Sequence, residues 1–320
     1  MTSPAPDPPP EDPSPEPSPR LPLGTRISLY YILVFVLLLL LGPLLAALLV
    51  KPDQLAAWRA GEAVPELKIW LWIEALLAVP VAVATIGFVR LVDRKPLHAI
   101  GALWPPGRGG QAGLHLGAAV GSAAAILGVW YLGAGLVARF DVTASPEAPG
   151  AGELAAYALG FLAAAALEEW ILRGYIYSAL RERLSWVHAG GIAALLFVLP
   201  QLAGTGVTAP GLVSAFLLGM TLAALRELTG SLWTGVAFHG GWNFLMGCVL
   251  ALPVSGNRLP SPRRVEVTGS EAWTGGAYGP EGSWLMVALL LLAVAGLAGV
   301  LGGGEESDGS DGSDASDASD

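Results

Sequence analysis

Apolar runs long enough to cross a bilayer recur about eight times along this chain, near 27–50, 67–89, 112–138, 154–180, 187–201, 211–228, 231–252 and 283–302. A helix needs about 20 apolar residues to span the hydrocarbon core. Lipid offers no hydrogen bonds, so each spanning segment must satisfy its own backbone polar groups. The expected fold class is therefore all-α, a polytopic transmembrane helix bundle of about eight spans with disordered tails. The charge content agrees, at 13% against about 25% in a soluble domain. The fifth run is the shortest, and losing it would invert everything that follows.

Lys and Arg fall unevenly between alternate loops. Arg20, Arg26, Arg90, Arg94, Lys95, Arg108, Arg173, Arg181, Arg183 and Arg226 share one side. Lys51, Arg59, Lys68, Arg139, Arg258, Arg263 and Arg264 share the other. The positive-inside rule then places both termini in the cytoplasm. A long polar leader precedes 27–50, which reads as a retained helix rather than a cleaved signal.

The expected organisation is a Pro-rich tail over 1–25, N-terminal transmembrane helices over 26–150, a core over 151–252, an extracytoplasmic loop over 253–282, a last helix over 283–302 and an acidic tail over 303–320. Neither tail has the apolar surface needed to fold. Cys248 is the single cysteine, so no intrachain disulfide can form. No Gly-rich nucleotide motif or basic stripe stands out, and nucleic acid is not an expected partner.

Polar residues inside the spans carry the functional signal. Glu168 and Glu169 follow fourteen uncharged residues, and Arg173 comes four residues after Glu169. Each ionised group near a bilayer centre costs roughly 2.5–3.5 kcal/mol on insertion scales. Glu169 and Arg173 share a helix face in the favourable order for an ion pair. Glu168 is rotated about 100° away, which leaves one carboxylate to hold water, a proton or a metal, or to pair elsewhere. His239 and Asn243 are also four apart on one face, and Gly240 and Gly241 between them permit close approach of another backbone. An interhelical hydrogen-bond pair would use the same pattern. Pro200 should break its helix, and Gln201 follows it either as a cap or as a site residue. Glu74 in the second span reads as an interfacial residue near the outer surface, or as a further acid in a relay of intramembrane carboxylates.

Together these residues resemble the CPBP family of intramembrane proteases, which includes Rce1-type CAAX prenyl endopeptidases and bacterial Abi-type proteins. The likeness covers roughly 155–250. Glu168-Glu169-Trp-Ile-Leu-Arg173 matches that family's EExxxR, and His239-Gly-Gly-Trp-Asn243 matches its HxxxN. Its FxxxH becomes Phe197-Val-Leu-Pro-Gln201, without the histidine.

The resemblance implies hydrolysis of a peptide bond in a membrane-embedded or lipidated substrate, in the cell membrane of a bacterium. It implies catalytic roles for Glu168, His239, Asn243 and Gln201, with Glu169 and Arg173 in support. Glu168 would act as general base, Gln201 would hold water, and His239 and Asn243 would stabilise the oxyanion. A zinc ion on Glu168 and His239 is the other mechanism the resemblance allows. Catalytic zinc takes three protein ligands and water, and an amide is a poor third, so no cofactor is favoured. The site's expected position near the cytoplasmic end suggests a substrate arriving from that leaflet.

Two other functions fit the residues. The loss of the FxxxH histidine suits a catalytically degenerate scaffold or immunity protein. Intramembrane carboxylates would also suit an ion-coupled transporter, though no inverted repeat is visible.

Overall fold

The computed structural model describes residues 21–60, 67–203 and 206–310. Among the described residues, eight main helices lie where the apolar runs predict them. They are α1 (Leu23–Leu49), α3 (Leu67–Phe88), α4 (Ala112–Gly135), α5 (Ala151–Glu169), α7 (Trp186–Val198), α8 (Ala209–Thr229), α9 (Leu232–Phe244) and α11 (Trp284–Ser310). The short helices are α2 (Pro52–Ala60), α6 (Tyr177–Leu180) and α10 (Glu271–Thr274). Among the described residues, six helical stretches are long and apolar enough to cross a membrane: Leu23–Leu49, Ile69–Asp93, Gly109–Gly135, Ala151–Leu180, Ala209–Thr229 and Trp284–Gly303. Trp186–Leu202 is a shorter apolar helix.

The helices sort into a sheath and a centre. Leu39, Leu40 and Leu48 on α1 and Leu291, Leu292 and Val300 on α11 are exposed. Large apolar side chains facing outward suit contact with lipid tails, which are as apolar as leucine. α8 and α9 are central, with every residue from Thr234 to Gly240 buried. This is an integral membrane helix bundle.

Small residues let the centre close. Ala189, Gly190, Ala193 and Ala194 of α7 are buried, and a Cβ on Gly219 of α8 would come within 2.8 Å of the Ala194 Cβ. A Cβ on Gly240 would lie 2.9 Å from the Leu162 Cα, so α9 touches the backbone of α5 there. Backbone cannot yield as a flexible side chain does. Gly240→Val is expected to lower stability by about 1–3 kcal/mol through overpacking, read as a fall in the thermal midpoint of purified protein in lipid.

One end of the bundle is tied by charge. Arg26 on α1 bonds Asp93 at 2.8 Å and also Glu182, which accepts from Lys95 at 2.9 Å. Burial alone would push the Glu182 carboxyl up, but hydrogen bonds from Arg26 and Lys95 hold it below its ordinary value. These contacts join α1 to the end of α3 and to the turn after α6.

The opposite end carries an element that an all-α reading omits. Strand β1 (Arg139–Ala144) pairs antiparallel with β2 (Arg263–Thr268), with Phe140 opposite Val267 and Val142 opposite Val265. Both segments alternate β-branched or aromatic residues with polar ones, a pattern that favours strands. The sheet fastens the 253–282 loop to the segment entering α5.

The helices also extend past two expected boundaries. α1 begins at Leu23 and α11 runs to Ser310, inside the segments expected as tails. Helix propagation from a formed span costs less than starting anew. The remaining tail residues, 1–20 and 311–320, lie outside the described residues.

Candidate active site

Local sequence fixes each wall of the site. Gly230 adopts a left-handed conformation at φ 68° and ends α8, as glycine readily does. Ser231 then caps α9, its hydroxyl accepting from the Trp233 N–H at 3.2 Å. That tight corner sends α9 back through the centre. α7 stops at Val198, and the chain narrows into a 3₁₀ turn, Leu199–Ala203, around Pro200. Gln201 lies on this turn, as expected from the missing proline N–H. After Glu169 the backbone becomes π-helical over Trp170–Ile176, a distortion often found at functional sites.

Faces of α3, α5, α7, α8 and α9 meet around a cavity of about 190 Å³. α5 contributes Phe161, Ala164, Ala165 and Glu168, the spacing of a single helix face. α9 contributes His239 and Asn243, and α3 contributes Trp70, Leu71 and Glu74. Phe197 and Gln201 complete a further wall. A second cavity of about 260 Å³ lies against Val34, Phe35 and Leu38 of α1. It shares Glu168, Phe197 and Gln201 with the first. Glu168 therefore borders both a polar chamber and an apolar groove.

Glu169 points elsewhere. Its Oε1 accepts from Arg173 at 3.0 Å, with both side chains fully buried. Arg173 also donates to the Gly219 carbonyl at 3.0 Å and lies over the Phe197 ring, 4.9 Å from its centroid. The Phe197 ring meets His239 edge-on at 5.5 Å. His239 Nδ1 is 3.5 Å from Glu169 Oε1, too long for a good hydrogen bond. A protonated imidazole would make that contact charge-assisted. A Cβ on Gly235 would lie 3.0 Å from Glu169 Oε2, so that glycine makes room for the carboxylate.

Residues 150–245 match a family model described as type II CAAX prenyl endopeptidase, Rce1-like. Over these residues the chain is similar to that family. No curated protein sequence matches it. The matched segment holds Glu168, Glu169, Arg173, Phe197, Gln201, His239 and Asn243.

Several wall residues lie outside that segment. Glu74 lines the same cavity as Glu168. The 253–282 loop supplies Val254, Ser255, Asn257 and Glu281. Glu281 accepts from Trp242 Nε1 at 3.0 Å and from the Ser255 N–H and hydroxyl at 2.8 Å each. The chamber is thus bounded by this loop and by the α1 groove. None of its described wall residues comes from the Arg181–Ser185 turn; the 253–282 loop lines it instead. The reason is tertiary: the loop folds inward onto Trp242, and no local pattern announces this. Glu74 did carry a signal, since any acid within a span is a functional candidate.

The donor set does not fit a catalytic zinc ion. Among the described residues no three His, Cys, Asp or Glu side chains gather closely enough to hold a metal. Glu168 and His239 are two ligands where three are normal, and Gln201 is a neutral amide.

Proposed function

We propose that this protein is an intramembrane endopeptidase in which Glu168 activates water. The observation that carries this reading is the division of labour between adjacent carboxylates. Glu169 is held by Arg173, while Glu168 faces a chamber shared with Gln201, His239 and Asn243. Glu168 takes a proton from a water that the Gln201 amide can accept from or donate to. The water oxygen attacks the peptide carbonyl carbon. His239 and Asn243 donate to the oxygen as charge develops, an interaction worth roughly 2.7–4 kcal/mol per donor. No metal takes part in this scheme.

The apolar groove beside α1 supports a substrate that reaches Glu168 from the bilayer, as a membrane-embedded or lipidated peptide. Both termini lie in the cytoplasm in this reading. One observation favours a second reading: Gln201 replaces an imidazole, which suits a scaffold that has lost its chemistry.

The deciding experiment is cleavage of a membrane-presented peptide library by purified protein in lipid, with wild type and Gln201→His, each with and without a chelator. Wild-type cleavage that resists the chelator is the expected result. Cleavage abolished by the chelator would replace the mechanism with a metal-dependent one. Inactivity of the wild type, with activity gained in Gln201→His, would favour the scaffold.

A further inference from the structure

We propose that Glu74 is the general acid that protonates the leaving nitrogen, acting opposite Glu168. This inference rests on the endopeptidase reading above and adds to it a residue outside the Rce1-like segment.

Hydrolysis of a peptide needs two proton transfers. One proton leaves the attacking water, and another must reach the amine as the C–N bond breaks. Glu168 serves the first transfer. Three carboxyl groups line the chamber among the described residues: Glu74, Glu168 and Glu281. Glu281 is committed to Trp242 and Ser255 through three hydrogen bonds. Glu169, behind the wall, is committed to Arg173. His239 and Asn243 are engaged at the oxyanion. Glu74 is the remaining carboxyl, and its partner is the neighbouring Trp70 side chain on the same helix.

Its position suits the task. α3 packs against α5, and Leu71 contacts Gly160, where an added Cβ would come within 3.4 Å. That contact sets the rotation of α3 and turns the Trp70, Leu71 and Glu74 face into the chamber. Glu74 lines the chamber together with Glu168 and His239. It also borders a large apolar groove of about 570 Å³ with Trp58 and Trp70. A substrate chain running between Glu168 and this groove would pass both carboxyls. Paired carboxyls in different surroundings commonly divide into an acid and a base.

The protons balance. Glu168 accepts one proton from water as oxygen bonds to the carbonyl carbon. Glu74 gives its proton to nitrogen as the C–N bond breaks, releasing the amine and the carboxylic acid. The proton on Glu168 then passes across the chamber to Glu74 and restores both groups.

The test compares two substrates with the same acyl part, a membrane-presented peptide and its p-nitrophenyl ester. The ester's phenolate leaves without a proton, so it needs the base and the oxyanion site but not the acid. Glu74→Gln should lose peptide cleavage by about 10²–10⁴-fold and lose far less on the ester. It should also remove the limb of the peptide pH profile in which the acid must be protonated, and Glu74→Asp should restore part of the peptide rate. Glu168→Ala should lose both substrates. Equal losses on peptide and ester in Glu74→Gln, or no loss on the peptide, would overturn the acid role and leave the Glu168 mechanism standing. A wild type that cleaves neither substrate would overturn the endopeptidase reading, and the acid role with it.

Discussion

Glu168→Ala is expected to cut peptide cleavage by about 10²–10⁴-fold, the usual worth of a positioned general base, while the yield of folded protein is unchanged. The two halves of that expectation have separate origins. Glu168 borders both cavities, and the buried Arg173 pairs with Glu169 instead, so removing Glu168 does not strand that cation. Its loss removes a carboxylate that lines both the chamber and the groove beside Val34, Phe35 and Leu38. Rates would be compared in lipid at equal folded concentration, with thermal midpoints as the folding control. Cleavage that survives the substitution would move the base elsewhere, and a large drop in midpoint would make Glu168 structural.

Arg173→Ala should act in the opposite way, through stability first. It strands Glu169, whose side chain is fully buried, and it frees the Gly219 carbonyl and one face of Phe197. Breaking a buried pair by removing one partner typically costs about 3–5 kcal/mol, a large part of the 5–15 kcal/mol that holds most folds. The measurement is the thermal or denaturant midpoint of purified protein. Glu169→Gln combined with Arg173→Met should be markedly milder than Arg173→Ala, because no charge is left uncompensated. Additive losses in that double variant would mean that the two residues act separately.

The chemistry of this chain was legible wherever it is local. Helix geometry alone separates Glu168 from Glu169 and aims Glu169 at Arg173, and the structure has that pair at 3.0 Å. The same rule aligns His239 with Asn243, and Pro200 marks the turn that carries Gln201. Spans were legible because a bilayer forces about 20 apolar residues into one helix. Glu74 was half legible. Its charge inside a span marked it, but its neighbours depend on how α3 rotates against α5.

Other features had no local signal. β1 and β2 are far apart in the chain, and their pairing needs the helices between them to bring the ends together. Glu281 looks like an ordinary loop acid until Trp242 and Ser255 claim it. The loop's inward fold onto Trp242, which bounds the chamber, had no local signal either.

The sequence by itself determined the all-helical membrane class, the positions of the helices and the phase of each polar residue on its own helix. Those follow from hydrocarbon thickness and from 3.6 residues per turn, which act within one segment. Tertiary structure alone decided which faces meet, so it alone put Glu74, Glu168, His239 and Glu281 around one chamber. Those contacts depend on side-chain volumes on different helices, such as Gly240 against Leu162 and Gly219 against Ala194, and no stretch of chain contains both partners.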